Sequence, residues 1–373
     1  MEKKRTPFLR KPAVQTLIAS LLCILLGLIV GYIALLLINP AGAWGAITSI
    51  VKNFLNYPMP AQRAKYLGQT LVKTAPLLMC SLSVLFAYKV GLFNIGAAGQ
   101  YVAGAGAALY CALALNMPWY VCLIAAAVAG ALLGCISGLL KAYCNVNEVI
   151  SCIMLNWIGL YTVNSILNVV KEPTSPYTNG IAKVNQGAIL PNAGLNALFS
   201  NDRYVTIAIP VAIIIAVLVW MVLSKTRLGY ELKATGMNKN AAKYAGMKER
   251  FNIILTMAIA GALAGMGAAL LYLTGFEQWS VTQSSVPARG FNGIAAAFLG
   301  GLHPIGTIFS SFFIQHITNG GGYVDMTMYS SDISDFISSL IIYLCGFVLF
   351  FKHFMNNRLN RRDELTLRKG GDR

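Results

Sequence analysis

The sequence predicts an all-α polytopic membrane protein with eight to ten transmembrane helices. Of its 373 residues, 57% are hydrophobic and only 11% are charged, against about 25% charged residues in a typical soluble domain. Several long stretches contain no charged residue at all. A soluble chain of this length would need more charged surface, so that class is excluded. The scarcity of charge also argues against a nucleic-acid partner, despite a formal net charge of +16.

Uncharged stretches, taken in chain order, define the crossings. A helix needs about 20 apolar residues to span roughly 30 Å of hydrocarbon. Four stretches each provide one helix, a longer one provides two with a turn at Asn116-Met117-Pro118, and two shorter segments add one each. The first is too long for a signal peptide, whose apolar region is about 7–15 residues. The single helices are expected in 13–38, 149–170, 204–224 and 251–276, the pair in 90–140, and the shorter ones in 67–88 and 334–351.

Residues 290–318 are predicted to form a broken or re-entrant helical hairpin. Two apolar pieces, 290–301 and 305–317, are separated by the sequence Gly-Gly-Leu-His-Pro, and each is short for a full crossing. Such a break is tolerated where protein or a water-filled pathway surrounds the backbone. The count is therefore eight full crossings plus the hairpin, or ten crossings if both halves cross.

A short internal match suggests two related halves. The sequence Phe-Asn-Ile-Gly-Ala-Ala at 93–98 returns as Phe-Asn-Gly-Ile-Ala-Ala at 291–296. The predicted topology places the two copies near opposite sides of the membrane, as expected of an inverted repeat. Chance and the shared glycine and alanine content explain six matching residues equally well.

The basic residues orient the chain, because Lys and Arg are retained in cytoplasmic loops. With both termini inside, 21 of the 29 basic residues are cytoplasmic. This predicts a single transmembrane domain over 1–373 in the plasma membrane, with lipid as its surroundings. Its cytoplasmic parts are 1–12, 224–250 and 352–373, and 171–203 is the longest outer loop. This outer loop and residues 39–66 are candidates for docking a partner outside the cell, or plain connectors.

The sequence contains no recognisable catalytic or metal-binding motif. A phosphate-binding G-x-x-x-x-G-K-[ST] loop is absent, so the chain does not bind ATP in that way. The eight cysteines lack C-x-x-C spacing and the three histidines are scattered, which predicts no metal site. A transport subunit is therefore favoured over an enzyme.

The inner loop 224–250 contains two short helices with readable boundaries. Gly236 suits the C-terminal cap of the first, Asn238 the N-cap of the second, and Gly246 its end. The second helix combines small Ala241 and Ala242 with Tyr244 and the following alanine, which allows another surface to approach closely. The alternative is a basic loop resting on anionic lipid.

The order of residues in this loop resembles the coupling loop of ABC-importer permeases. The family is binding-protein-dependent transport family 2, which includes simple-sugar, branched-chain amino-acid and nucleoside permeases. Other segments resemble its nucleoside branch, and the resemblance extends from about 67 to 350. The loop segments are 226–229, 234–238 and 241–246, and the nucleoside-like segments are 91–100, 147–150, 153–156 and 290–295.

The resemblance implies the permease subunit of an ATP-driven importer that forms the translocation pathway for nucleosides. No cofactor is expected in this chain, because ATP and Mg would bind a separate ATPase subunit. A second homologous permease and an extracytoplasmic substrate-binding lipoprotein are the other implied partners. Residues implied to couple to the ATPase are Thr226, Arg227, Gly229, Gly236, Asn238, Ala241, Ala242, Tyr244 and Gly246.

One residue departs from the broader coupling motif. Asn240 stands where Glu is favoured, so a salt bridge from that position to the ATPase is not expected, although the helix can still dock by shape. A bulky replacement at Ala242 or Gly246 is expected to uncouple the complex or dissociate it without unfolding the membrane domain.

Polar groups within the apolar stretches are the candidates for the substrate pathway. Buried amides need hydrogen-bond partners, and aromatic rings offer faces to a base. The alternative is hydrogen bonding between helices and ordinary packing. Glu148 is predicted to hold its helix to its neighbours rather than to transfer protons. The pathway candidates are Phe93, Asn94, Gln100, Asn156, Phe291 and Asn292.

Two other functions remain open from the sequence. A permease for simple sugars such as ribose uses the same mechanism. An ion-coupled secondary transporter would need ionisable groups near the middle of the membrane, where the uncharged stretches offer only Lys73 and the histidines. ATP dependence of uptake distinguishes these classes.

Overall fold

The computed structural model describes residues 12–325 and 327–358, which form the predicted helical bundle. Seven helices in this part of the chain are long and apolar enough to cross a membrane. The predicted cytoplasmic ends 1–11 and 359–373 lie outside the described residues. The helices are α1 (Pro12–Ile38), α2 (Ala43–Lys52), α3 (Pro60–Lys89), α4 (Ala97–Leu113), α5 (Trp119–Cys144), α6 (Glu148–Leu167), α7 (Ile181–Val184), α8 (Ala208–Lys225), α9 (Arg227–Met237), α10 (Lys239–Tyr244), α11 (Glu249–Tyr272), α12 (Arg289–Leu299), α13 (Pro304–Gly321) and α14 (Ser331–Cys345); residues 348–358 are also helical.

Glycines bring the central helices α4, α5 and α11 into contact. A Cβ added at Gly261 of α11 would overlap the carbonyl oxygen of Gly130 in α5, and one at Gly265 would meet Ala126 in the same way. Gly104 of α4 packs on the main chain of Gly265. In a bilayer, association depends on such close packing of small residues, because the lipid tails are as apolar as the helices.

The two ends of the bundle differ in structure. At the first, which we call the α9–α10 end, Gly91 has a φ of +77° and its main chain packs against Gly236 of α9. At the second, which we call the loop end, residues 168–207 fold over residues 273–288. There the Leu190 amide donates to the Leu273 carbonyl at 3.0 Å. The predicted turn at 116–118 lies at the loop end, where the Asn185 side chain donates to the Met117 carbonyl at 2.9 Å.

Helix α4 begins later than predicted. Residues 92–96 after Gly91 are not helical, and the first helical residue is Ala97. The Asn94 side chain bonds to other side chains, which gives the polar groups of this segment partners inside the protein. Helix α4 therefore starts within the bundle rather than at its end.

The predicted break at 300–304 is present between α12 and α13. Helix α12 starts inside the bundle, where Gly290 packs directly on Ala98 at the start of α4. It ends beside α1, where the Ser20 hydroxyl donates to the Leu299 carbonyl at 2.7 Å. Helix α13 then returns to the loop end, where Gly320 packs on Ile50. Both halves thus run along the bundle, although α12, with 11 residues, covers only part of its depth.

An ion pair joins α5 to α6, as predicted for Glu148. The Lys141 Nζ lies 2.8 Å from Glu148 Oε2, and both side chains are partly buried. We expect Glu148→Gln to lower the free energy of unfolding by about 1 kcal/mol, because a partly screened ion pair is lost. Thermal unfolding in detergent measures this, with Glu172→Gln in the loop that follows α6 as the control. In the double variant with Lys141→Met, the two effects should not add; simple addition would contradict a direct interaction.

Candidate coupling loop and polar cavity

The turn from α8 into α9 is built by Thr226 and Gly229. The Thr226 hydroxyl oxygen accepts a hydrogen bond from the Gly229 amide at 3.1 Å, so Thr226 is the N-cap of α9. Gly229 lies against the main chain of Val222 and Leu223, where a side chain would not fit. Arg227 is exposed and its Nε pairs with Glu231 at 2.7 Å.

The end of α9 is fixed on the bundle by two contacts. Gly236 is not the C-terminal cap predicted from the sequence, because α9 continues to Met237 and Asn238 is its C-cap. Instead, Gly236 packs against the main chain of Val90, at the end of α3. One residue earlier, the buried Thr235 hydroxyl accepts a hydrogen bond from the Asn252 side chain of α11 at 2.8 Å. A displacement of α9 would therefore move the ends of α3 and α11 with it.

Helix α10 has one face on the bundle and one face free. The Asn238 side chain caps it by accepting from the Ala241 amide at 3.0 Å. Ala242 is only 3% exposed, so it packs on its own chain and a bulky replacement there would displace α10 itself. Gly246 has a φ of +77° and open space around it, so its conformation, rather than lack of room, requires glycine.

The free face of the loop carries two large side chains with almost no cover. Tyr244 is 93% exposed and Met237 is 90% exposed, and Ala241 between them is also exposed. An apolar surface of this kind at a helical corner is typical of a protein interface. The loop sequence thus divides into residues that build the corner and residues that are available to a partner.

Three of the predicted pathway amides bond to one another and to the main chain. Asn94 donates to Gln100 Oε1 at 2.8 Å and to Ser83 at 2.9 Å, and Gln100 donates back to Asn94 at 3.1 Å. Asn156 of α6 accepts from the Gly99 amide at 2.8 Å and donates to the Ile95 carbonyl at 3.2 Å. This geometry is the interhelical hydrogen bonding that the sequence left as the alternative, and it supports the start of α4.

The three remaining pathway candidates have different surroundings. Phe93 is half-buried beside the start of α4. Phe291 is exposed on an apolar groove of about 510 Å³ between α12 and α14. Asn292 borders both this groove and a larger polar cavity of about 690 Å³. Among the six candidates, Asn292 is therefore the one that lines the polar cavity within the described structure.

The polar cavity lies toward the loop end, and tyrosines form its rim. The rings of Tyr57 and Tyr66 stack with their centroids 4.0 Å apart, and Tyr323 at the end of α13 meets Tyr57 edge-on at 5.6 Å. Burial and neighbouring hydroxyls raise the pKa of Tyr57, which precedes α3. The rim is therefore aromatic and uncharged.

Charged side chains from three elements meet deeper in the cavity. Lys73 comes from α3, Glu277 from the segment after α11, and Arg289 from the start of α12. Arg289 Nη2 lies 2.5 Å from Glu277 Oε1. Asp335 also lines the cavity, so the two basic and two acidic groups balance formally.

Amide side chains form much of the remaining wall, and several are fixed. Gln69 donates to Asp202 at 2.8 Å, Gln315 donates to Asn319 at 2.9 Å, and Asn319 donates to Thr70 at 3.2 Å. A wall of amides, aromatic rings and balanced charges suits a neutral polar solute. Such a solute can replace its hydrogen bonds to water with hydrogen bonds to these groups, and it brings no net charge into the cavity.

Glu277 and Arg289 were not among the site residues predicted from the sequence. Both are the first charged residues beyond uncharged stretches, Glu277 after 251–276 and Arg289 before 290–324. That position was the available signal, but it does not reveal that the two side chains meet. The segment between them is held by α6, because the Asn164 side chain donates to the Gln283 carbonyl at 2.9 Å.

Comparison with known proteins agrees with this architecture. The family described as "Branched-chain amino acid transport system / permease component" matches residues 66–346. The chain is 35% identical over 284 residues to the guanosine ABC transporter permease protein NupP of Bacillus subtilis (strain 168), covering 74% of this chain and 80% of the relative.

Two other relatives extend the comparison. The nucleoside ABC transporter permease protein NupB of Lactococcus lactis subsp. cremoris (strain MG1363) is 33% identical, over 82% of this chain and 84% of its own length. The glucose ABC transporter permease protein TsgB13 of Haloferax volcanii is 29% identical, over 89% of this chain and 88% of its own length. The chain therefore belongs to the family of branched-chain amino acid transport system permease components and is the membrane-spanning permease subunit of an ABC importer.

Proposed function

We propose that this permease forms the translocation pathway for nucleosides. The observation that carries the proposal is the polar cavity of about 690 Å³, whose wall combines amides, aromatic rings and balanced charges. A nucleoside is neutral, offers several hydroxyl groups and contains a planar base. The two relatives with identities of 35% and 33%, which are named for guanosine and nucleosides, support the same substrate class.

The orientation follows from the charge distribution. The basic loop 224–250 would place the α9–α10 end in the cytoplasm. The cavity would then open to the outside of the plasma membrane, where a substrate-binding lipoprotein would deliver its cargo to the loop end. Both termini would be cytoplasmic, and lipid would surround the apolar outer faces of the helices.

Transport would be driven by ATP hydrolysis in an ATPase subunit that docks on the free face of α10. That subunit would bind ATP and Mg, and a second homologous permease would complete the pathway. The exposed side chains of Met237 and Tyr244 support the docking position. Covering large apolar side chains with a partner removes them from water and so contributes favourably to binding. Movement of α9 would reach α3 and α11 through Gly236 and Thr235.

A simple-sugar permease is the second candidate function. The glucose permease relative is 29% identical over 89% of this chain, and a neutral sugar would also suit the amide-lined cavity. The aromatic rim is the feature that favours the nucleoside, since a base can stack on tyrosine rings and a sugar has no planar π-system.

Reconstitution tests this proposal directly. The chain would be co-expressed with its ATPase, second permease and binding protein, placed in proteoliposomes, and supplied with labelled guanosine, ribose or glucose. We expect ATP-dependent accumulation of guanosine at a rate at least about 10-fold above that of either sugar. The control carries an ATPase whose phosphate-loop lysine is replaced. Sugar uptake without nucleoside uptake would contradict the proposal, as would uptake driven by an ion gradient alone.

A further inference from the structure

The polar cavity contains a group of side chains whose bonding capacity is only partly used. Glu277 Oε1 pairs with Arg289 at 2.5 Å, and the structure gives its second carboxylate oxygen no partner among the described residues. The Lys73 ammonium lies over the Phe276 ring, 5.3 Å from its centroid, and the described part of the chain provides no hydrogen-bond acceptor for it. An acceptor and a donor are thus both available on the same cavity wall.

We propose that Lys73, Phe276 and Glu277 form a binding subsite within the permease for the vicinal hydroxyl groups of the substrate's sugar ring. The proposal rests on the proposed function, since it assigns one part of a nucleoside to one part of the cavity. It places part of the discrimination between substrates in the membrane subunit rather than in the binding protein alone.

The chemistry of the three groups matches a pair of neighbouring hydroxyls. An ionised carboxylate only accepts hydrogen bonds and an ammonium only donates them, whereas a hydroxyl does both. One hydroxyl can therefore donate to Glu277 while its neighbour accepts from Lys73. The Phe276 ring lies beneath the Lys73 ammonium, and this cation–π contact holds the donor on the cavity wall.

Position within the bundle also favours a ligand for Lys73. The residue is near the middle of α3, whose apolar part is 89% buried within the bundle. A lysine close to a helix end can extend its ammonium to the membrane surface, but Lys73 instead borders a polar cavity. Ionisable groups at such depth are costly and mark pathways for polar substrates.

Arg289 acts as a positioning residue in this arrangement. Its side chain holds Oε1 of Glu277 and so fixes the direction of the second carboxylate oxygen. It also stands at the start of α12, one residue before the contact between Gly290 and Ala98. The subsite is therefore attached to the point where α12 meets α4 inside the bundle.

The test compares a ribonucleoside with its 2′,3′-dideoxy counterpart in the reconstituted complex. Every variant is assayed with the same binding protein, so a change in the uptake ratio between the two substrates arises in the permease. We expect Lys73→Met to lower ribonucleoside uptake about 10-fold, as for loss of a charge-assisted hydrogen bond. Dideoxynucleoside uptake should change less than about 2-fold, and Lys73→Arg should retain most of the ratio.

Lys65→Met is the matched control, because Lys65 is an exposed lysine of the same helix and does not line the cavity. Glu277→Gln provides an independent variant that should also shift the ratio. A merely structural role would lower the uptake of both substrates equally. An unchanged ratio in both Lys73→Met and Glu277→Gln would therefore overturn the subsite, while nucleoside uptake by the unaltered complex would leave the proposed function standing.

A measurement on the unaltered complex tests the subsite even if the variants do not assemble. Lys73 is labelled with a small amine-reactive reagent during ATP-driven turnover, and the modified fraction is read by mass spectrometry. Saturating ribonucleoside should lower labelling of Lys73 several-fold and leave Lys65 unchanged, whereas the dideoxy compound should protect weakly. Equal protection by both compounds would overturn the subsite. Failure of the unaltered complex to import any nucleoside would overturn the proposed function and the subsite together.

Discussion

Replacing Gly261 by valine is expected to destabilise the folded permease strongly and to lower its yield. Gly261 lies where α11 crosses α5, and a Cβ there would overlap the carbonyl oxygen of Gly130. The obstacle is main chain rather than a flexible side chain, so it can be relieved only by separating the two helices. Gly104, Ala126 and Gly265 pack in the same region, and their contacts would be lost as well. We expect a loss of about 3 kcal/mol, the upper end for overpacking.

The measurement is the yield of monodisperse protein after detergent extraction, followed by its thermal unfolding temperature. Gly45→Val is the matched control, because Gly45 is an exposed residue of α2 with no atom within 4 Å of a new Cβ. Its yield should equal that of the unaltered protein. If Gly261→Val were recovered in equal yield with an unchanged unfolding temperature, the close contact between α5 and α11 would be contradicted.

Replacing Tyr244 by alanine is expected to weaken association of the ATPase and to lower ATP-dependent uptake without unfolding the membrane domain. The side chain is 93% exposed, so its removal leaves no cavity in the permease. If it anchors the ATPase, its loss should cost about 2 kcal/mol of association, or a weakening of about 30-fold. Adding Met237→Ala should increase the loss, since both side chains are on the free face of the loop.

Co-purification of the ATPase and ATP-dependent uptake are the two measurements for this variant. Tyr120→Ala is the control, because Tyr120 is also exposed but lies at the start of α5, at the loop end. The unfolding temperature of the isolated permease should be the same in both variants. Normal ATPase association in the Tyr244→Ala, Met237→Ala double variant would show that the partner binds elsewhere.

The sequence could not specify which side chains of α10 face a partner, as Tyr244 and Ala242 show. Both belong to the resembling segment 241–246, and the sequence assigned both to ATPase coupling. The structure places Ala242 against its own chain and Tyr244 outside. Two residues that are two positions apart in a helix point to nearly opposite sides. Which side faces the bundle depends on how α10 docks on α9 and α11.

The crossings themselves were predictable because they depend on local composition. Any segment of about 20 apolar residues must be placed in lipid or in the bundle, whatever its neighbours are. The break at 300–304 and the Asn238 cap of α10 were equally local, since glycine, proline and asparagine act on their own backbone. The predicted cap at Gly236 was wrong, because packing on the bundle lets α9 continue to Met237. The start of α4 at Ala97 was not predicted, because the unwound residues before it depend on partners in other helices.

The sequence by itself thus determined the class of protein, the order of its helices and the position of the basic loop 224–250 along the chain. Only the tertiary structure decided which polar groups satisfy one another and which face an open cavity. Asn94 and Gln100 bond together, whereas Glu277 and Arg289 meet beside Lys73 of α3. The physical reason is that a buried polar group needs a partner in space, and that partner is set by the packing of helices far apart in the chain.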